Sequence, residues 1–175
     1  RLGPILTGDA DALKHGPPVT ALLIQNTNPA DVCPEQRLVR QGLARDDLFT
    51  CVHEQFMTDT ARLADIVLPA TTFLEHDDIY TASGHTFLQA SRAVIPAPGE
   101  CRSNHSFIGQ LAHRLGIVHP AFAMDEWSLV DRLLADSGKP GADELLVKGW
   151  IDCALPFERA HFLDGFGHPD GRFRF

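Results

Sequence analysis

Four cysteines are spread through 175 residues, and no two of them stand as a CxxC pair. That excludes a local zinc knuckle or iron–sulfur cradle. Cys33, Cys51, Cys101 and Cys153 read instead as reduced, mostly buried thiols. No apolar run approaches the ~18 residues that a membrane-spanning helix needs. Arg1-Leu2-Gly3-Pro4 also lacks the charged-then-apolar order of a signal peptide. A cytoplasmic protein is expected, or a piece cut from a longer one. The missing initiator Met, and an end on the strand-like Gly171-Arg172-Phe173-Arg174-Phe175 with no turn behind it, favour the piece. Positive charge is scarce: 15 Lys+Arg stand against 23 Asp+Glu, a net charge of −8. A surface that tracks nucleic-acid phosphates is therefore not expected.

Several short signatures are absent too. Without G-x-G-x-x-G or G-x-x-x-x-G-K-[ST], a self-sufficient NAD site or a P-loop has no support. Nine histidines invite a metal reading, with His76 beside Asp77 and Asp78, or His161 with His168. No H-E-x-x-H accompanies them, and scattered His-Asp pairs arise by chance on an acidic chain. No G-x-S-x-G elbow is present, and Ser83-Gly84-His85 reads as a turn.

What the chain does contain is alternation. Hydrophobic residues at 44% and charged residues at 22% suit one globular body. Residues 1–18 are a leading segment broken by Gly3, Pro4, Gly8, Gly16, Pro17 and Pro18. Val19–Ile24 is a continuous apolar run of the length and kind expected of a parallel strand covered on both faces. It passes into Gln25-Asn26-Thr27-Asn28-Pro29, where the proline keeps Asn28 out of the right-handed helical region. A helix is expected over 34–44, a second strand over 48–52 ending at His53-Glu54-Gln55, a short helix capped by Thr58, and a third strand over 64–69 closed by Pro69.

From Pro69 to about residue 100 the texture is irregular and reads as one long loop. Ser103 and Asp125 are placed to cap two further helices, the first leaving through Gly116. The expected fold is α/β, with a doubly wound, mostly parallel sheet and helices on both faces. The domain runs over 19–136, and 137–175 forms an irregular extension toward a following domain.

In open α/β sheets ligands gather at the carboxyl ends of the strands. Two loops fit that position: Asn26, Thr27 and Asn28 after the first strand, and His53 with Glu54 after the second. Strand-end amides and a carboxylate suit a ribose diol or a purine edge, so a nucleotide is the natural ligand. Each loop can equally be a solvated turn.

Three stretches, "QNTNPA", "VHEQFMTDTARLADIVLPATTFLEHDDIYTASGHTFLQ" and "PGECRSNHSFIGQLAHRLG", together resemble the molybdopterin oxidoreductase family. This is the group of bis-molybdopterin guanine dinucleotide enzymes that includes formate dehydrogenases, nitrate reductases and sulfoxide reductases. The resemblance covers about residues 19–117. It implies the third, α/β domain of a catalytic subunit, which grips the guanosine end of one cofactor dinucleotide.

By that resemblance Asn26, Thr27 and Asn28 approach the nucleotide, and His53 and Glu54 contact guanosine or its ribose. His76 stands where some members carry Lys, and Asn104 where several carry an Asp that accepts from guanine. The amide of Asn104 has one acceptor oxygen where a carboxylate has two, and His76 is neutral over much of the physiological range. Asp65 and Glu75, strong markers of the family, also read as caps for neighbouring backbone.

The resemblance further implies that the molybdenum ligand and a 4Fe–4S cluster belong to segments of the parent outside this chain. The partners would be the other domains of the same subunit and the parent's electron-transfer partner. The parent would catalyse molybdenum-dependent oxygen-atom or hydride transfer, and the piece alone would be inactive. Two other readings stay open: a free-standing flavodoxin-like interaction or regulatory module, and a small hydrolase using His53 and Glu54.

Overall fold

The computed structural model describes residues 1–174. Backbone contacts divide them into two units, residues 1–76 with 93–123, and residues 77–92 with 124 onward.

In the first unit the apolar runs become β1 (Ala21–Gln25), β2 (Phe49–Glu54) and β3 (Ile66–Pro69). They pair in chain order as a parallel sheet, with Ile24 opposite Val52 and Val52 opposite Val67. The helices of this unit are α1 (Leu2–Leu6), α2 (Pro29–Val32), α3 (Gln36–Leu43), α4 (Asp59–Arg62) and α5 (Asn104–Arg114). Ile24 and Val52 face one side of the sheet and close a core with Leu6, Ala30, Val39, Leu43 and Ala61. Full burial of aliphatic side chains this large contributes about 1.5–3 kcal/mol each. The α1–α3 contact leaves no room at Gly42, where an added Cβ would fall on the Leu6 Cβ. Gly42→Ala is therefore expected to lower stability by roughly 1–3 kcal/mol through overpacking, read as a lower urea midpoint at unchanged slope.

The opposite face of the sheet carries Leu23, Phe49, Cys51, His53, Ile66 and Leu68 in register. At its carboxyl end α5 covers it, with the Phe107 ring stacked on His53 at 4.5 Å and 23°. Toward the amino end Leu23, Phe49 and Ile66 remain 41%, 48% and 44% exposed. Parallel sheets ordinarily bury both faces, so this half-open one is unusual.

The expected caps are present. Thr58 accepts from the Ala61 N–H at 3.1 Å, Ser103 from Ser106 at 3.2 Å and Asp125 from Ser128 at 2.9 Å. Gly116 leaves α5 with φ +72°. The acid before β3 locks that strand to its neighbour: the Asp65 carboxylate accepts from the Thr50 N–H at 2.7 Å, and its own N–H donates to the Thr50 carbonyl at 3.0 Å. Glu75 likewise accepts from the Thr72 N–H at 2.9 Å. Asp65→Ala is expected to cost about 1–2 kcal/mol in urea unfolding and Asp65→Asn clearly less, since only the first leaves the Thr50 donor without its acceptor.

The second unit departs from expectation. Residues 70–100 are not one loop: Asp78–Ala82 and His85–Ser91 form an antiparallel hairpin, β4 and β5, about a Ser83-Gly84 turn. Leu88 and Ala90 on β5 point into a core with Val130, Leu134, Ala142 and Leu145, so period-two burial holds the hairpin. Nor is 137–174 wholly irregular. It carries α7 (Ala142–Lys148), the short β6 (Ile151–Asp152) paired with β5, and α8 (Phe157–Ala160). The helix capped by Asp125 is α6 (Glu126–Asp136).

Smaller differences follow the same physics. The helix expected over 34–44 begins at Gln36, because Glu35 takes a left-handed backbone (φ 59°). Pro29 opens a short helix of its own. The four thiols are free but half-buried rather than mostly buried. Residues 171–174 form no strand, and Phe175 lies outside the described residues.

Candidate functional site

The carboxyl ends of β1, β2 and β3 lie side by side, Gln25 opposite His53 and Glu54 opposite Pro69. A fourth segment joins them through a parallel bridge between Ala70 and Arg102. In it the Arg102 N–H donates to the Pro69 carbonyl and the Thr71 N–H to the Arg102 carbonyl, both at 3.1 Å. The segment then enters α5 at Asn104. All the strand-end loops of this unit thus share one edge, the place where α/β sheets present polar groups to ligands.

After β1 the chain turns sharply. Asn26 adopts a left-handed backbone (φ 47°), which Asn tolerates, and its N–H donates to the His53 carbonyl at 3.0 Å. Thr27 is exposed and Asn28 half-buried. The Asn28 side chain works inside the fold: its amide oxygen accepts from the Thr60 hydroxyl at 2.7 Å and the Thr60 N–H at 3.2 Å, and its amide nitrogen donates to Asp31 at 2.6 Å. The Thr60 hydroxyl oxygen in turn accepts from the Ala30 N–H at 3.0 Å. Asn28 therefore fastens the start of α2 to the start of α4.

A cleft of about 160 Å³ opens between the ends of β2 and β3 and the segment before α5, lined by His53, Leu68, Pro69, Glu100, Arg102 and Phe107. His53 is 1% exposed, and among the described residues neither of its ring nitrogens has a hydrogen-bond partner. Burial pushes its pKa below the ordinary 6.5. The Arg102 backbone, the Asn104 side chain, the Pro69 backbone and the Glu54 charge lean the other way, though none of them reaches hydrogen-bonding geometry. The imidazole is thus neutral at pH 7, with one donor and one acceptor unanswered. A buried polar atom without a partner costs about 1–3 kcal/mol, and two on one ring call for an explanation.

Glu54 is half-buried, and one of its carboxylate oxygens accepts from the Gln55 N–H at 2.7 Å. Asn104 is exposed, one residue after the Ser103 cap and beside the His53 ring. His76 is half-buried on the loop after β3, its Nδ1 sharing a 2.7 Å hydrogen bond with the Thr71 hydroxyl.

The seven residues singled out from sequence thus fall into groups. His53 forms the cleft wall, Glu54 and Asn104 adjoin it, Asn26, Thr27 and Asn28 occupy the neighbouring strand end, and His76 sits beyond β3. Sequence reasoning passed over Glu100, Arg102 and Phe107. No short-range pattern marks Glu100 and Arg102 as a pair, because Glu100 stands in a turn and Arg102 on the bridged segment behind it.

Among the described residues no cluster of His, Cys, Asp and Glu could hold a metal ion. Nor, among the described residues, is any helix long and apolar enough to cross a membrane.

Comparison with known proteins bears directly on this edge. Residues 7–114 match the family model described as molybdopterin oxidoreductase. The chain is 42% identical over 140 residues to the probable oxidoreductase YoaE of Bacillus subtilis, covering 80% of this chain and 18% of that protein. It is 27% identical over 192 residues to the periplasmic nitrate reductase of Desulfovibrio desulfuricans, covering 93% of this chain and 25% of that one. Acetylene hydratase from Pelobacter acetylenicus superimposes with a TM-score of 0.73 at 27% identity, over 96% of this chain and 23% of its own. The chain therefore spans a quarter or less of the length of these relatives. The matched segment contains the whole parallel sheet, its carboxyl-edge loops and the cleft, and on these grounds the chain belongs to the molybdopterin oxidoreductase family.

Proposed function

We propose that this chain is the part of a molybdenum-dependent oxidoreductase catalytic subunit that grips the guanosine end of a molybdopterin guanine dinucleotide. The observation that carries this reading is His53, an imidazole buried to 1% exposure with both nitrogens unpartnered in the wall of a cleft at the carboxyl edge of a parallel sheet. A neutral ring there offers one N–H and one lone pair to a nucleoside. Asn104 and Glu54 stand beside it, and Asn26, Thr27 and Asn28 lie at the adjoining strand end. At about 160 Å³ the cleft is well under the ~300–1,000 Å³ of a complete small-molecule site, which suits one heterocyclic end of a long cofactor.

When bound, the cofactor supplies the molybdenum-centred oxygen-atom or hydride transfer, and the protein supplies position and electrostatics. The share of this chain is anchoring: it fixes the tail, so that the remote pterin is held at a set distance from the sheet. The other domains of the same subunit complete the cradle. The half-open apolar face at Leu23, Phe49 and Ile66 supports their presence, because a parallel sheet is ordinarily covered on both sides. The parent's 4Fe–4S cluster and electron partner belong to those other parts.

Titration of the chain with GMP, followed by amide NMR, tests the site. Shifts are expected at 26–28, 53–54 and 100–104. Shifts confined to the second unit would refute the assignment.

A further inference from the structure

We infer that Glu100 and Arg102, rather than Asn104, read the identity of the base in this cleft. The inference rests on the guanosine-binding reading above and deepens it. Asn104 offers one acceptor oxygen, too few to take both the N1–H and the N2–H of guanine. Glu100 and Arg102 both line the cleft. Arg102 lies on the segment that the Ala70 bridge holds against the end of β3, and Glu100 stands in the turn just before it, where the Cys101 N–H donates to the Pro98 carbonyl at 3.1 Å, so both side chains border one cleft.

Backbone hydrogen bonds on both sides of Arg102 fix its position, and its guanidinium donates to the Gln110 side chain from one terminal nitrogen. Among the described residues its other terminal nitrogen and Nε meet no acceptor. Among the described residues Glu100 has no side-chain hydrogen bond or ion pair to another group, so its carboxylate is ready to accept. Guanine presents what such a pair wants: two adjacent donors for a carboxylate, and O6 and N7 for a guanidinium. Adenine reverses the pattern. Its N6 amino group would face the cation, and its N1 would face the carboxylate with lone pair against lone pair. Hypoxanthine keeps N1–H and O6 but lacks the second amino donor. Leu68, Pro69 and Phe107 are apolar, and His53 is the one other polar group of the lining, so mismatched polar groups find few substitute partners.

The order of affinity should be GMP, then IMP, then AMP. A well-placed bidentate contact is worth about 1–3 kcal/mol of discrimination, or roughly 5- to 150-fold. Dissociation constants of the three nucleotides measured by NMR titration of the wild-type chain, E100Q and R102M test this. A GMP preference over AMP of at least ~10-fold in the wild type, falling to within ~3-fold in E100Q with the shifts still centred on His53, is the supporting result. GMP binding at His53 with a preference that neither substitution alters would overturn the base-reading role and leave the site intact. Failure of all three nucleotides to perturb the cleft would remove the site itself, and this inference with it.

Discussion

Replacing His53 with Leu is expected to raise the stability of the chain by about 1–3 kcal/mol and to weaken GMP binding at least ~10-fold, two effects of one cause. In the free chain the imidazole is enclosed with neither nitrogen satisfied, so an apolar side chain of similar size relieves a penalty. In the complex the same nitrogens meet the nucleoside, and Leu has nothing to offer it. A residue kept at a cost to folding is the pattern expected of a binding group.

The pH dependence carries the same signature. Burial sets the folded pKa of His53 below the ordinary 6.5, so between that depressed value and about 6.5 the unfolded chain binds more protons than the folded one. Proton linkage thus adds nothing to the cost of His53 above about pH 6.5, and below it stability declines as the pH falls toward the folded pKa. Urea midpoints measured from pH 7.5 down to 5 should fall for the wild type and fall less steeply for H53L. Parallel curves, or a destabilised H53L, would show that the imidazole is satisfied in the fold.

Asn28→Ala should be the most damaging single change at the strand-end loops, costing about 2–4 kcal/mol. The Asn28 amide oxygen accepts from both the hydroxyl and the N–H of Thr60, a residue with no exposed surface. Its removal strands both donors inside the protein. Asn28→Asp retains an acceptor in the same place and should stay within about 1 kcal/mol of the wild type. Equilibrium urea unfolding of the two variants separates this structural duty from any contact with a ligand. A mild N28A would mean that Thr60 finds another partner.

How much of this could be read in advance depended on the kind of signal. The three parallel strands were legible because Val19–Ile24, Leu48–Val52 and Ile66–Leu68 are short, largely apolar runs of strand length followed by turn residues, the pattern of strands in a parallel sheet. The caps at Thr58, Ser103 and Asp125 were legible because one hydroxyl or carboxylate at a helix start has few other uses. The β4–β5 hairpin was not seen, since its inward residues include the small Ala90 and its alternation is carried by Leu88 and Ala90 against Phe87 and Gln89. The Ser83-Gly84 turn at its centre was nonetheless recognised as a turn. Helix α7 went unread despite an acidic first turn, Lys148 in the last turn and Gly149 just beyond at φ +80°, because the prolines and glycines around it dominated the reading.

At the edge of the sheet, sequence placed polar residues after each strand but could not say which of them face a ligand and which face the protein. Asn28 and His53 show why. Both stand in strand-end loops, yet the amide is tied to Thr60 while the imidazole is left without partners. Glu100 and Arg102 were invisible as a pair because only the bridge from Ala70 to Arg102 brings that distant segment against β3.

The most direct measurement is a structure of the full-length subunit purified with its cofactor. The guanosine should lie in the cleft at the end of β2, within hydrogen-bonding reach of a His53 ring nitrogen and beside Glu100, Arg102 and Asn104. A guanosine held by other parts of the subunit, with the His53 ring still unpartnered, would contradict the role given to this chain.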